Sequence, residues 1–337
     1  MYGAFIGDIV GSKYEFDNIK TKDFPLFSDG CDYTDDTVMT AAVAKAILLT
    51  RAEDGKSKEG FLNCLVRTMQ DFGRRYPHPK GAYGSRFVQW LSSADPSPYG
   101  SYGNGSAMRV SPCGLIAVEL FEAQALARAS ACVTHNHPEG VRGAEAVASA
   151  IFLAKTGSSK AEIRQFITEH YYDLDFTLDS IRADYRFESS CQKSVPQAIE
   201  AFLESESFED AIRNVISIGG DCDTTGAITG SIAWTYYTVQ DHSWGCDEHM
   251  SPALREIRDS ARRYLPEEFV SIADEFHEAC WRRGGCYFRT GGCSPILSKE
   301  ELELFTPPEQ NGAGHELAGS FPHHGQTAKI LGRCFFG

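Results

Sequence analysis

Apolar residues recur at steps of three and four along most of this 337-residue chain. That spacing lines one face of an α-helix and does not suit a strand, whose faces alternate with a period of two. It predicts helices over 35–50, 58–75, 113–130, 140–155, 160–171, 195–204, 207–217, 224–238, 252–264 and 267–281. Three starts carry capping residues: Thr34 before Asp35, Ser207 before Glu209, and Ser251 before Pro252. No series of alternating strands appears and β-branched runs are few. The expected fold is all-α, a compact orthogonal multi-helix bundle with long loops at 76–112 and 131–140.

Glycines add a packing constraint. Gly3, Gly7 and Gly11 recur every fourth residue, as do Gly226 and Gly230. If both segments are helical, each presents a smooth face that admits another backbone. Loose turns with coincidental spacing are the alternative for the first segment; the second lies in "TTGAITGSIAWTYYTV", where a helix is expected.

Composition excludes several classes. A net charge of −14 argues against an extended nucleic-acid surface, which needs clustered cations, but not against one small phosphorylated ligand. The opening "MYGAFIGDIVG" does not resemble a secretory signal. The apolar helical pattern from Val38 to Leu49 is broken by Lys45 and too short to span a bilayer. Eleven cysteines without regular spacing do not make a disulfide framework, so a reducing cytoplasm is the expected location. After about residue 283 the chain turns rich in Gly, Pro and polar residues, with one short helical segment at 299–304. Residues 284–337 are therefore expected to be a poorly packed appendage to a domain spanning 1–283. Nothing in the sequence sets an oligomeric state.

The chemistry concentrates in two similar stretches. In "TDDTVMTAA", Asp35 and Asp36 stand between Thr34 and Thr37 at a helix start. On local grounds these carboxylates favour the helix dipole. In "SIGGDCDTTGAITG", Asp221 and Asp223 precede Thr224 and Thr225, again at a helix entrance, after a turn permitted by Gly219 and Gly220. Four carboxylates brought together repel unless a cation sits among them, and such oxygens suit Mg²⁺, Mn²⁺ or Ca²⁺ rather than zinc. Capping and metal binding both remain open on spacing alone. No G-x-S-x-G, P-loop or H-E-x-x-H signature is present. Cys280, Cys286 and Cys293 are too widely spaced for a zinc knuckle, and Cys222 reads as a small side chain facing away.

Five segments, "GAFIGDIVGSKYEF", "TDDTVMTAA", "GSYGNGSAMRVSP", "THNHPEGVRGAEA" and "IGGDCDTTGAITG", resemble in order those of the ADP-ribosylglycohydrolase family. The resemblance implies an all-α fold with a dinuclear Mg²⁺ cleft, Mn²⁺ being an acceptable substitute. It implies metal ligation by Thr34, Asp35, Asp36, Asp221, Asp223 and Thr224. Ser101, Gly103, Asn104 and Gly105 would lie along a diphosphate, with Tyr102 against the adenosine end. Their glycines suit convergent backbone amides, and a glycine-rich surface turn is the plainer reading. His135 aligns with a family histidine near the substrate; His137 has weaker support. Arg109 could pair with a phosphate or with an acidic neighbour. Glu15 aligns with a family glutamate beside the metals and is taken as a substrate-side acid/base, with Asp8, about two turns earlier on one helix, as structural support.

The implied activity is metal-dependent hydrolysis of the ribosyl bond of ADP-ribosylated protein side chains, arginine or serine, or of a small ADP-ribose conjugate. Glu15, Asp36 and Asp221 are the candidates for accepting a proton from the attacking water. Ser101 stands where nitrogenase-associated relatives carry an acidic residue, so their arginine specificity does not transfer directly. A different two-metal phosphohydrolase and a non-catalytic ADP-ribose-binding protein are the competing readings.

Overall fold

The computed structural model describes residues 1–50, 60–244, 249–290, 296–297, 301 and 304–305, without the side chains of 285–290. Fourteen α-helices and no strands occur among the described residues. In chain order they are α1 (Tyr2–Gly11), α2 (Asp35–Thr50), α3 (Phe61–Arg75), α4 (Ser85–Ser92), α5 (Ser111–Ile116), α6 (Leu120–Cys132) and α7 (Pro138–Lys155). Then follow α8 (Lys160–His170), α9 (Leu178–Arg182), α10 (Cys191–Leu203), α11 (Phe208–Ser217), α12 (Cys222–Gln240), α13 (Pro252–Arg262) and α14 (Glu267–Thr290). The all-α expectation holds, and no described helix is long and apolar enough to cross a membrane.

The bundle is built around α12, buried on every side from Cys222 to Thr235 and packed by α1, α7, α10 and α11. Its buried hydroxyls cost little because they bond to carbonyls: Thr225 to Asp221, Thr235 to Ser231, and Thr229 to Ala198 of α10. The glycine repeats meet here. A Cβ on Gly3 would lie 2.1 Å from the carbonyl oxygen of Gly230, and one on Gly7 1.9 Å from that of Gly226. The two backbones touch along their length, and the first segment is helical.

Helix starts follow capping chemistry. Ser207 accepts from the Asp210 amide, and Ser251 from that of Leu254. Four boundaries differ from expectation. The helix expected at 113–130 is two, α5 and α6, separated by extended backbone at Ala117 and Glu119. Lys155, its ammonium over the carbonyls of Gly114, Leu115 and Ala117, ends α5, while Glu122 accepts from the Val118 amide. The loop 76–112 contains α4, short but anchored by buried Phe87, Trp90 and Leu91. Helix α10 begins at Cys191 rather than 195, because the Cys191 amide is tied to the Tyr102 carbonyl, and it tolerates Pro196 inside. Helix α14 runs past 283 to Thr290, and Ile296, Leu297 and Phe305 beyond it are buried in the main core. Most of the segment expected at 299–304, like Cys293 and the Cys286 side chain, lies outside the described residues.

Candidate active site

The N-termini of α2 and α12 open side by side into one cleft of about 370 Å³, within the range of small-molecule sites. What caps α2 decides what its carboxylates are for. The Thr34 hydroxyl accepts from the Asp36 amide, and Asp8 of α1 accepts from the amides of Thr34 and Thr37. Asp8 also takes the Thr34 hydroxyl proton at 2.7 Å. The amides of Asp36 and Thr37 at the start of α2, and that of Thr34 before them, are thus satisfied by Thr34 and Asp8, while Asp35 and Asp36 line the cleft. Asp221 stands at the start of α12 but makes no capping bond with its side chain; it accepts from the Asn104 amide group at 2.8 Å. Gly219 and Gly220, with φ of 69° and 89°, make the turn that aims it there, braced by Asn18 on both polar atoms of Gly220.

Carboxylate oxygens of Glu15, Asp221 and Asp223 lie within 4.8 Å of one another. Asp36 joins them through the Thr224 hydroxyl, which donates to it at 3.2 Å, with Thr34 at 3.3 Å from the same oxygen. Glu15 stands within this group, although α1 ends at Gly11, so it reaches the cluster from the following turn and not from a helix shared with Asp8. Among the described residues, Glu15 Oε2, Asp36 Oδ1 and Asp223 Oδ1 are buried without a hydrogen-bond partner. Orphaned anionic oxygens are costly, and these converge on one space.

The electrostatics say the same. Burial raises every carboxyl of the group: Asp8 and Asp221 to about 6, and Glu15 to about 8, with Asp223 and then Asp8 adding to the effect at Glu15. Asp35, Asp36 and Asp223 are pushed well above the carboxylate range by burial and then by like charge. An all-oxygen donor set that is buried and mutually repelling fits hard divalent cations. The Cys222 thiol lies near the Asn18 amide group, and burial with the charges of Asp223 and Asp221 pushes its pKa well up.

The glycine loop forms the next stretch of wall. Ser101, Gly103, Asn104 and Gly105 line the cleft. Gly100 needs its φ of 65°, and a Cβ on Gly105 would stand 3.3 Å from His135 Nε2. Three amides of this loop are already engaged: Gly100 with Asn136, Gly103 with the Ser101 hydroxyl, and Asn104 with the Ser189 carbonyl. Fewer amides converge on the cleft than the glycine pattern suggests. Tyr102 is 51% exposed, its ring 5.3 Å from that of His137, outside the stretch lined by the other loop residues. His137 itself caps α7.

His135 lines the cleft, and its Nδ1 lies 2.7 Å from the Thr134 hydroxyl. Arg109, 1% exposed, donates to that hydroxyl and to the Ser130 carbonyl, and among the described residues it forms no ion pair with an acidic side chain. Thr134 accepts from Arg109, and its one proton is assigned to the 2.7 Å contact with His135 Nδ1 over the 3.5 Å contact with the Ala131 carbonyl, an assignment that puts the imidazole proton on Nε2, facing the glycine loop. Burial, with Arg109 and Arg86 nearby, keeps His135 neutral by lowering its pKa well below the usual value. Sequence reasoning missed Ala82, Arg86, Tyr99 and Phe187 as lining residues. Ala82, in the left-handed region at φ 66°, is a feature no motif signals.

The chain belongs to the ADP-ribosylglycohydrolase family, whose profile it matches over residues 1–283. It is accordingly a hydrolase acting on the ribosyl bond of ADP-ribose conjugates. It is 26% identical to ADP-ribosylhydrolase ARH3 of Mus musculus, over 72% of this chain and 84% of that protein. It is 25% identical to ADP-ribosylarginine hydrolase Tri1 of Pseudomonas putida, over 77% of each chain. A solved structure described as an ADP-ribosylglycohydrolase-related protein complex superposes with a TM-score of 0.58 at 22% identity, covering 84% of this chain and 97% of that one, and shares its fold.

Proposed function

We propose that this cleft hydrolyses the ribosyl bond of ADP-ribosylated arginine or serine side chains, or of a small ADP-ribose conjugate, releasing ADP-ribose. The observation that carries the proposal is the convergence of orphaned oxygens of Glu15, Asp36 and Asp223 in a cleft whose next wall is the Ser101–Gly105 loop. Thr34, Asp35, Asp36, Asp221, Asp223 and Thr224 would hold two Mg²⁺ ions, or Mn²⁺. Bound there, the ions would supply positive charge for ribose hydroxyls and for a water.

The chain's own groups then divide the work. Ser101, Gly103, Asn104, Gly105 and His135 orient the diphosphate, and Tyr102 lies at the adenosine end. The neutral His135 offers Nε2–H as a donor to an anionic ligand. Cleavage at the anomeric carbon builds positive charge on the ribose, which surrounding carboxylates stabilise. Glu15, whose carboxyl burial raises to about 8, is suited to exchange a proton near neutral pH, with Asp36 and Asp221 as the other candidates. The catalytic domain is residues 1–283, and α14 together with buried Ile296, Leu297 and Phe305 carries its core past that boundary. A cytoplasmic location agrees with the free thiols of the described cysteines.

The test is ADP-ribose release from matched arginine- and serine-modified peptides, with Mg²⁺, with chelator, and with an Asp35→Ala, Asp221→Ala double variant of confirmed fold. Release that needs metal and is lost in the variant supports the proposal and names the linkage. ADP-ribose binding without release from either peptide would favour a small-molecule substrate or a binding protein. Phosphate release would favour a phosphohydrolase.

A further inference from the structure

The cleft is electrically polarised along its length. At one end stand five carboxylates, Glu15, Asp35, Asp36, Asp221 and Asp223; the cations among its described lining residues are Arg86 and Arg109. Arg109 is buried and directs its guanidinium to Ser130 and Thr134. Arg86 is exposed, and among the described residues no carboxylate lies within ion-pair distance of it. It is nonetheless held in place. Its guanidinium donates to the Tyr99 carbonyl and lies over the Tyr99 ring, 4.7 Å from the centroid.

Tyr99 connects this cation to the glycine loop. Its amide donates to the Thr134 carbonyl, and its ring centroid lies 5.8 Å from that of His135. His135 Nε2 in turn faces Gly103 and Gly105, and Asn104 reaches Asp221. The order along the wall is therefore acid centre, Asn104, glycine loop, His135, Tyr99, Arg86.

We propose that Arg86 is the anion-binding anchor of the cleft: a guanidinium that pairs with the pyrophosphate of the bound ligand. The inference rests on the function proposed above, and the need for it comes from the loop. With the amides of Gly100, Gly103 and Asn104 engaged internally, the loop offers a dianion fewer backbone donors than its glycines suggest, and the metal-facing carboxylates offer it none. A guanidinium offers a fork of donors matched to phosphate oxygens, of which the Tyr99 carbonyl takes one. The pinned geometry means that little side-chain freedom is lost on binding.

The test compares wild type, Arg86→Gln and Arg86→Lys by calorimetry with Mg²⁺, using ADP-ribose, ADP and adenosine. Arg86→Gln is expected to weaken ADP-ribose and ADP about tenfold, near 1.4 kcal/mol, while adenosine is unchanged. Arg86→Lys recovers part of the loss. In turnover, KM of Arg86→Gln rises about tenfold with kcat within about twofold, as for uniform binding lost. Equal ADP and ADP-ribose binding by wild type and Arg86→Gln overturns the anchor alone. Equal loss of adenosine assigns Arg86 to holding the Tyr99 wall and also overturns it. A wild type that binds neither ADP-ribose nor ADP overturns the proposed function and the anchor with it.

Discussion

Gly7→Ala adds one methyl group where α1 crosses α12, and the structure says what that methyl meets. Its Cβ would lie 1.9 Å from the carbonyl oxygen of Gly226, 2.3 Å from the carbonyl carbon and 2.8 Å from the Ala227 nitrogen. All three are backbone atoms of a buried helix, so no side chain can turn aside. Restoring an ordinary contact of 3.4 Å requires the helices to part by about 1.5 Å. Alanine favours the helix by about 1 kcal/mol over glycine, so the propensity term opposes the effect. Overpacking of a close core costs 1–3 kcal/mol or more, and parting the helices also loosens their neighbouring contacts at Gly3 and Gly11. The expected net loss is about 3 kcal/mol, a fall in Tm of roughly 4–5 °C. The control is Gly284→Ala, inside α14 with nothing within 4 Å of the new methyl, which is expected to gain up to about 1 kcal/mol. Both are measured by urea denaturation with chelator and with Mg²⁺. Because Asp8 follows Gly7 and accepts from the amides of Thr34 and Thr37, Gly7→Ala is also expected to blunt the stabilisation by Mg²⁺. A Gly7→Ala protein within about 0.5 kcal/mol of wild type, or stabilised like the control, would refute the close-contact argument.

Three further outcomes are expected. With chelator present, the folded state keeps protons on Asp221 to about pH 6 and on Glu15 to about pH 8, which the unfolded chain releases near pH 4. The native state then binds more protons across that window, so denaturation midpoints should fall as pH rises from about 4 to 8 and flatten with Mg²⁺; midpoints that rise instead would contradict the repelling cluster. Asp223→Asn removes one buried like charge, so it should lower turnover by at least about 100-fold while leaving the chelated protein as stable as wild type or more so; unchanged turnover would remove Asp223 from the site. Glu122→Ala leaves the Arg283 guanidinium, 3% exposed, without that carboxylate and frees the Val118 amide, for a loss of about 3 kcal/mol by denaturation, with substrate KM unchanged.

Much of this protein was legible before its fold was known, where the signal was periodic or local. Helices α2, α7, α8, α11 and α12 follow from apolar spacing and from caps such as Ser207, because a helix expresses its buried face every three or four residues. The two acidic, threonine-flanked starts were visible as a pair for the same reason. Helix α4 and the break between α5 and α6 were not, since two turns carry too little periodicity and the break depends on Lys155, about forty residues downstream.

What only tertiary structure decided lies in contacts between distant segments. Spacing left open whether Asp35 and Asp36 cap their helix; the tertiary structure brings Asp8, on α1, to the amides of Thr34 and Thr37, while both carboxylates line the cleft. Glycine spacing announced two smooth faces, but not that each is the other's partner. Arg86, in the first turn of α4, and Tyr99, in the loop after it, carry no motif and enter the cleft because Tyr99 lies beside His135 and holds Arg86 there. A sequence records local preference at each residue, whereas the burial and like charge that give a carboxylate its chemistry arise when far-separated segments exclude water together.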